Sequence, residues 1–220
     1  METTTVIMLS GGIESTACLY KTLVNTNNKV VVHHIDLLCG ISKRPYIEKQ
    51  ACKKIVDWVR KNVRDVEYTE STFSFNYDKF MGWDYITSMY IGALVAKNYF
   101  TKDNEVELCC GYSRTDNETL SPWRISNANI ISLICSLSDP TCKKQYIPKI
   151  IQPVIDLTKK EIIKFMPKEL FDMTWSCRLP LYEIISDNEK KYYSCDECGV
   201  CKYLLSINRY ERKSIIIKDE

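Results

Sequence analysis

The sequence predicts an α/β protein built on a parallel sheet, with a small metal-binding segment towards its C-terminal end. Three observations lead there. In the first half, short β-branched runs alternate with longer stretches of helical periodicity, the pattern that lays helices on both faces of a parallel sheet. The first apolar run stops at Ser10-Gly11-Gly12 and passes at once into a helical pattern. Far along the chain, Cys195, Cys198 and Cys201 follow one another at C-x2-C-x2-C spacing, with Cys177 eighteen residues before the first of them.

Taken in order, "TVIML" is a strand, and "IESTACLYKTLV" is a helix with Ile13, Ala17, Tyr20, Leu23 and Val24 at helical spacing. "KVVVHHIDLL" is a near-continuous apolar run, hence a strand covered on both faces; its His33 and His34 point to opposite faces, which puts at least one of them in the core. "PYIEKQACKKIVDWVRKNV" opens with proline at a helix start, "DVEYTE" is a third strand, "WDYITSMYIGALVAKNYF" is the most strongly patterned helix, and "EVELCCG" is a fourth strand ending at Gly111. Beyond residue 125, "SNANIISLICSL" is a helix, "KIIQPVIDL" is extended, and Thr158 with Glu161 forms a capping box for "TKKEIIKFM". From Trp175 onward the chain is cysteine-bearing and loop-like, with "SDNEKK" in its middle.

Composition weighs against several classes. Thirty basic against twenty-eight acidic residues give a net charge of +2, too little for a phosphate backbone or an anionic membrane as principal partner. Neither a signal peptide nor a run of about eighteen apolar residues is present, so the expected compartment is the cytoplasm. There thiols stay reduced, and the clustered ones among eleven cysteines point to metal rather than disulfides.

A strand that enters a helix through two glycines offers backbone N–H groups at the positive end of the helix dipole, and Ser10 and Ser15 add hydroxyls, a donor set for phosphate. The Walker and dinucleotide patterns both require residues that are missing here. At the other end, Cys177, Cys195, Cys198 and Cys201 supply the four thiolates of a closed tetrahedral site, hence a structural Zn2+; an iron–sulfur cluster could use the same ligands. Gly199 is expected to supply the turn of this knuckle. The other cysteines read as buried thiols, with Cys109 and Cys110 nearest the expected site.

"SGGIES" resembles the pyrophosphate loop, SGGxDS, of the PP-loop ATP pyrophosphatases. Together with "TWSC", "CDECGVC" and "IIQPVIDLTKKEIIKF", it resembles 7-cyano-7-deazaguanine synthase over about residues 5–205. The resemblance implies an adenine nucleotide alpha hydrolase-like, Rossmann-like domain over residues 1–170 and a zinc-binding helical or loop segment over 171–220 packed on it. It implies a homodimer that uses ATP with Mg2+ to adenylate 7-carboxy-7-deazaguanine and, with ammonia, converts carboxylate to nitrile in the queuosine pathway.

By that resemblance Leu9, Ser10, Gly11, Gly12, Ile13, Glu14 and Ser15 form the ATP and pyrophosphate loop. Ser10, Glu14, Lys43 and Arg44 become the catalytic candidates, and Arg114, Asp116 and Arg124 the substrate-binding ones. The chain departs from the family at Glu14, where aspartate is usual. It departs again at Gly82-Trp83-Asp84, where Gly-Arg-Asn is usual, and in the loop over residues 114–124. Alternatives are adenylation of another acceptor, such as a protein terminus or a modified base, an RNA-thiolation enzyme of the same superfamily, and a nucleotide-binding module without turnover. Near-zero net charge weighs against an RNA substrate.

Overall fold

The structure is a computed structural model and describes residues 2–38, 44–74, 84–115, 147–207 and 213–218. Five strands, β1 (Glu2–Met8), β2 (Lys29–Leu38), β3 (Glu67–Ser74), β4 (Asn104–Cys110) and β5 (Lys149–Ile151), form one sheet in the order β3-β2-β1-β4-β5. Every pairing in it is parallel. Helices α1 (Ile13–Asn25), α2 (Arg44–Asn62) and α3 (Asp84–Lys97) lie between the first four strands, as the alternating pattern predicts.

Both faces are covered, which is why the central strands read as continuous apolar runs. In β1, Ile7 faces a core shared with Ala17 and Leu19 of α1 and Ile55 of α2. Its neighbours Val6 and Met8 face α3, against Tyr85, Met89 and Ala93. The "KIIQPVIDL" stretch departs from expectation: only Lys149–Ile151 is strand, and turns carry the chain to Thr158. There the capping box forms and starts α4 (Lys159–Phe165), followed by α5 (Lys168–Met173). The "SNANIISLICSL" helix lies outside the described residues.

The segment after Trp175 is not the loop that its composition suggests. It holds a three-stranded antiparallel sheet, β6 (Leu181–Ser186), β7 (Glu189–Tyr193) and β8 (Ser214–Lys218), and one short helix, α6 (Gly199–Ser206). Ser186 pairs with Glu189, so the polar "SDNE" run is a two-residue hairpin turn. Tyr192, Ile215 and Ile217 of this sheet pack with the four cysteines, Trp175, and Ile47 and Ala51 of α2. Among the described residues, no helix is long and apolar enough to cross a membrane.

β1 pairs with β2 on one side and β4 on the other, so the strand order reverses between β1 and β4. Ligands of open parallel sheets bind beyond the carboxyl ends of the strands at such a point. Here Gly111 ends β4 directly against the start of α1: a Cβ on it would lie 2.4 Å from Ser15 N and 2.6 Å from Ser15 Cα. Backbone on both sides leaves no flexible atom to yield. Gly111→Ala is therefore expected to cost about 3 kcal/mol or more in urea unfolding. Gly199→Ala, which meets nothing within 4 Å, is expected to gain about 0.5 kcal/mol.

His33 is buried among neutral partners, with Nδ1 2.8 Å from Thr69 Oγ1 and Nε2 2.9 Å from Ser71 Oγ. Burial pushes its pKa from 6.5 down to about 4, with His34 adding to the push and Glu70 opposing it. The unfolded chain therefore binds this proton first as pH falls, and the stability linked to His33 is full above about pH 6.5 and lost towards 4. Between pH 6.5 and 5 the wild type is expected to lose about 2 kcal/mol more than His33→Asn does. Parallel curves for the two proteins would count against this assignment.

Candidate active site and metal centre

Leu9 extends β1 by one residue, donating its N–H to His33 O at 2.8 Å. Its carbonyl accepts from His34 Nδ1 at 2.9 Å and from the Cys52 thiol at 3.3 Å, so His34 carries a proton on Nδ1. Both histidines are thus core residues on opposite faces of β2. Gly11 then turns the chain at φ 74°, where a side chain would be strained and would also press within 3.1 Å of Ala51 Cβ and Glu48 O.

Gly12 is the N-cap of α1 and supplies no side-chain cap. Hydroxyls from elsewhere meet the loop amides instead. Ser10 N–H donates to Ser15 Oγ at 3.2 Å, Gly12 N–H to Ser10 Oγ at 3.4 Å, and Ile13 N–H to Ser176 Oγ at 3.1 Å. A Cβ on Gly12 would come within 3.3 Å of Ser10 Oγ and 3.4 Å of Ser176 Oγ, so the bare glycine keeps the gap between these hydroxyls open. Amides and hydroxyls converging on a helix N-terminus fit a phosphate group.

Glu14 points the other way. Its carboxylate lies 2.6 Å from Lys159 Nζ, with side-chain exposures of 16% and 9%, so the pair is largely withdrawn from water. Lys159 is the first residue of α4, and the capping box that starts this helix is what aims it. The box residue Glu161 also accepts from Arg114 at 3.0 Å, while Arg114 N–H donates to Leu157 O. The predicted substrate residue Arg114 therefore stands at the mouth of α4 in a half-exposed ion pair.

Arg44, a predicted catalytic cation, opens α2 and is held by Glu48 at 2.6 Å and Asp84 at 2.9 Å. Burial would lower its pKa, but the two carboxylates outweigh that and raise it. Asp84, at the position of the family departure, also draws Arg178 to 3.6 Å and so ties the starts of α2 and α3 to the residue after Cys177. Lys43, Asp116 and Arg124 lie outside the described residues, as does Trp83.

The four predicted metal ligands come together. The sulfurs of Cys177, Cys195, Cys198 and Cys201 all lie within 4.8 Å of one another, and all four residues are buried. Backbone N–H groups already point at them, Cys195 N at Cys177 Sγ and Cys198 N at Cys195 Sγ, both at 3.2 Å. Burial raises the Cys177 thiol to about 11. At Cys198 burial also pushes upward, yet the amides of Arg178 and Cys201 prevail and bring the thiol down to about 7. Four such thiolates can hold a metal ion.

The turn of the knuckle is made differently from the expectation. Asp196 takes the left-handed conformation, φ 63°, while Gly199 is already the first residue of α6. Cys109 and Cys110 are buried, with thiols raised above their ordinary value: Cys109 by a hydrogen bond with Cys18 and by burial, Cys110 by burial first. They are inert packing residues.

Sequence reasoning missed Lys159 and Ser176. A capping box does mark residue 159 as the start of a helix, but nothing local says that it turns inward. Ser176 lay inside the quoted "TWSC", adjacent to a metal ligand, without a role of its own.

Among solved structures, the chain is similar to U34-tRNA thiolase NcsA from Methanococcus maripaludis, solved with its [4Fe-4S] cluster. The TM-score is 0.50 and the identity 15%, over 80% of this chain and 58% of that one. It is also similar to NMN synthetase from Francisella tularensis, with TM-score 0.45 and 13% identity over 76% of this chain and 64% of that one. The chain thus spans less than two thirds of either neighbour. No protein-family model and no curated protein matches the sequence. The likeness is to the fold, a parallel five-stranded sheet in the order β3-β2-β1-β4-β5 with helices between its strands. At these identities the likeness is one of architecture.

Breaking the Glu14–Lys159 pair from one side leaves a buried charge. Glu14→Gln is expected to cost about 3 kcal/mol in urea unfolding, and Glu14→Asp, which retracts the carboxylate by one methylene, about half as much. A neutral result for Glu14→Gln would remove the pair as a structural element.

Proposed function

We propose that the chain is an ATP-dependent enzyme of the 7-cyano-7-deazaguanine synthase type, adenylating 7-carboxy-7-deazaguanine and, with ammonia, converting its carboxylate to a nitrile in the cytoplasm. The observation that carries this reading is the join between the two ends of the chain. "SGGIES" and "TWSC" resemble that family in combination, and they meet: Trp175 N–H donates to Gly11 O at 2.7 Å, and Ser176 accepts from Ile13 N–H. Two motifs 163 residues apart build one site.

In this reading, a carboxylate oxygen becomes a leaving group once it carries AMP, and the protein supplies position and charge neutralisation. The hydroxyls of Ser10 and Ser15 and the positive end of α1 hold the departing pyrophosphate. Lys159 matches the charge of Glu14, which would otherwise repel that anion. Arg44, fixed by Glu48 and Asp84, helps to set the second turn of α2 against Gly11. Mg2+ is usually held by substrate phosphates with one or two carboxylates, and Glu14 already gives an oxygen to Lys159. Magnesium therefore belongs to the nucleotide rather than to a dedicated protein cage.

The metal assigned to the four cysteines is zinc. A tetrahedral ion with bonds of about 2.3 Å holds its sulfurs about 3.8 Å apart, within the range of the observed cluster, where Cys198 and Cys201 Sγ are 3.5 Å apart and all four sulfurs lie within 4.8 Å, whereas a multi-iron cluster spreads its ligands wider. With four protein ligands the ion is structural and takes no part in the reaction.

Incubation with ATP, magnesium, ammonium and 7-carboxy-7-deazaguanine is expected to yield AMP and the nitrile by mass spectrometry. One zinc per chain is expected in the same preparation. Ser10→Ala and Ser15→Ala should each lower turnover about 100-fold. AMP release only with a different acceptor would overturn the substrate. Iron with brown colour would overturn zinc and turn the reading towards sulfur chemistry of the kind named for the thiolase neighbour.

A further inference from the structure

We propose that Ser176 is a further anion-binding residue, tied to the four-cysteine centre, whose hydroxyl accepts from Ile13 N–H and donates its own proton to the pyrophosphate. The inference rests on the reading of that loop as a pyrophosphate site.

The geometry of the segment is fixed on both sides of Ser176. Before it, Thr174 is clamped by Lys213, whose Nζ donates to Thr174 O at 2.8 Å, to Thr174 Oγ1 at 3.0 Å and to Phe171 O at 2.7 Å. Trp175 is buried, donates its backbone N–H to Gly11 O, and donates its indole N–H to Cys177 O at 3.2 Å. After it, Cys177 is itself one of the four ligands, its sulfur accepting from Cys195 N–H. Ser176 thus sits between the loop and the metal centre with little freedom to drift.

Its hydroxyl has the right chemistry for that place. The oxygen accepts from Ile13 N–H, so its proton remains to be donated. Ser10 and Ser15 have oxygens 3.0 Å apart on the other side of Gly12. Ser176 therefore completes a set of three hydroxyls around the helix start, two supplied by the loop and one by the cysteine segment. A metal that draws Cys177 towards its partners sets where that third hydroxyl stands.

The test compares Ser176→Ala with the isosteric pair Ser176→Thr and Ser176→Val, which differ from each other in the hydroxyl alone. On zinc-loaded protein, calorimetric titration with inorganic pyrophosphate is expected to show affinity about tenfold weaker for Ala and Val, and near wild-type for Thr. Metal content and melting temperature should stay unchanged in the Thr and Val proteins. In cobalt-substituted protein, the visible thiolate–Co2+ bands should shift on adding pyrophosphate in the wild type and in Thr, and not in Val. Equal pyrophosphate affinity for Thr and Val, with the wild type binding, overturns the role of Ser176 alone. A wild type that binds no pyrophosphate overturns the loop reading, and this inference with it.

Discussion

The close approach of Gly111 to the backbone of Glu14 and Ser15 is the constraint on which the site depends. It brings the first turn of α1 against the end of β4, at the point where strand order reverses. With that distance fixed, the start of α1 faces the opening beyond the strand ends. Gly11, pressed on its other side by Ala51 and Glu48 of α2, has one way to turn. The loop is thus wedged between two helices and a strand, and its amides are aimed before any ligand meets them. Preorganisation of this kind is what makes backbone dipoles useful to chemistry, since they need not reorient when charge develops.

Much of this was legible in the sequence where the signal is local. The parallel strands announce themselves as β-branched runs, and the bounds of β2 coincide with the apolar run "KVVVHHIDLL". Thr158 and Glu161 declare a helix start from three residues' separation. The cysteine spacing is likewise local, apart from Cys177. What was not legible depends on partners far along the chain. Gly111 reads as the end of a strand, and only the fold shows that it faces Ser15. The strands β6 to β8 are short, and β8 pairs with β7 from some twenty residues away. No window of the sequence contains both halves of that pairing.

The knuckle shows a different limit. Glycine is the usual sign of a left-handed turn, and "CDECGVC" holds one glycine. Yet Asp196 takes the positive φ, and Gly199 begins a helix. Asp tolerates the left-handed region because its short polar side chain can bond locally. The helix α6 then begins at Gly199, directly after Cys198, so that Cys201 falls within its first turn. Spacing picked out the four cysteines that the fold gathers while misplacing the bend that brings them together.

Glu14 shows how a glutamate can be accommodated where the loop it resembles carries aspartate. A carboxylate withdrawn from water is unfavourable unless its charge is matched, and a short side chain there stays close to the backbone. Glutamate reaches further, and in this chain it reaches a lysine that is itself mostly buried. Lys159 could not remain charged in that position without a partner, because an isolated ammonium is strongly disfavoured away from water. Each residue therefore makes the other tolerable, and the pair anchors α4 to α1 directly behind the loop. The same helix start carries Glu161, which gathers Arg114 on its outer side. One capping box thus distributes charge in two directions, inward through Lys159 to Glu14 and outward through Glu161 to Arg114.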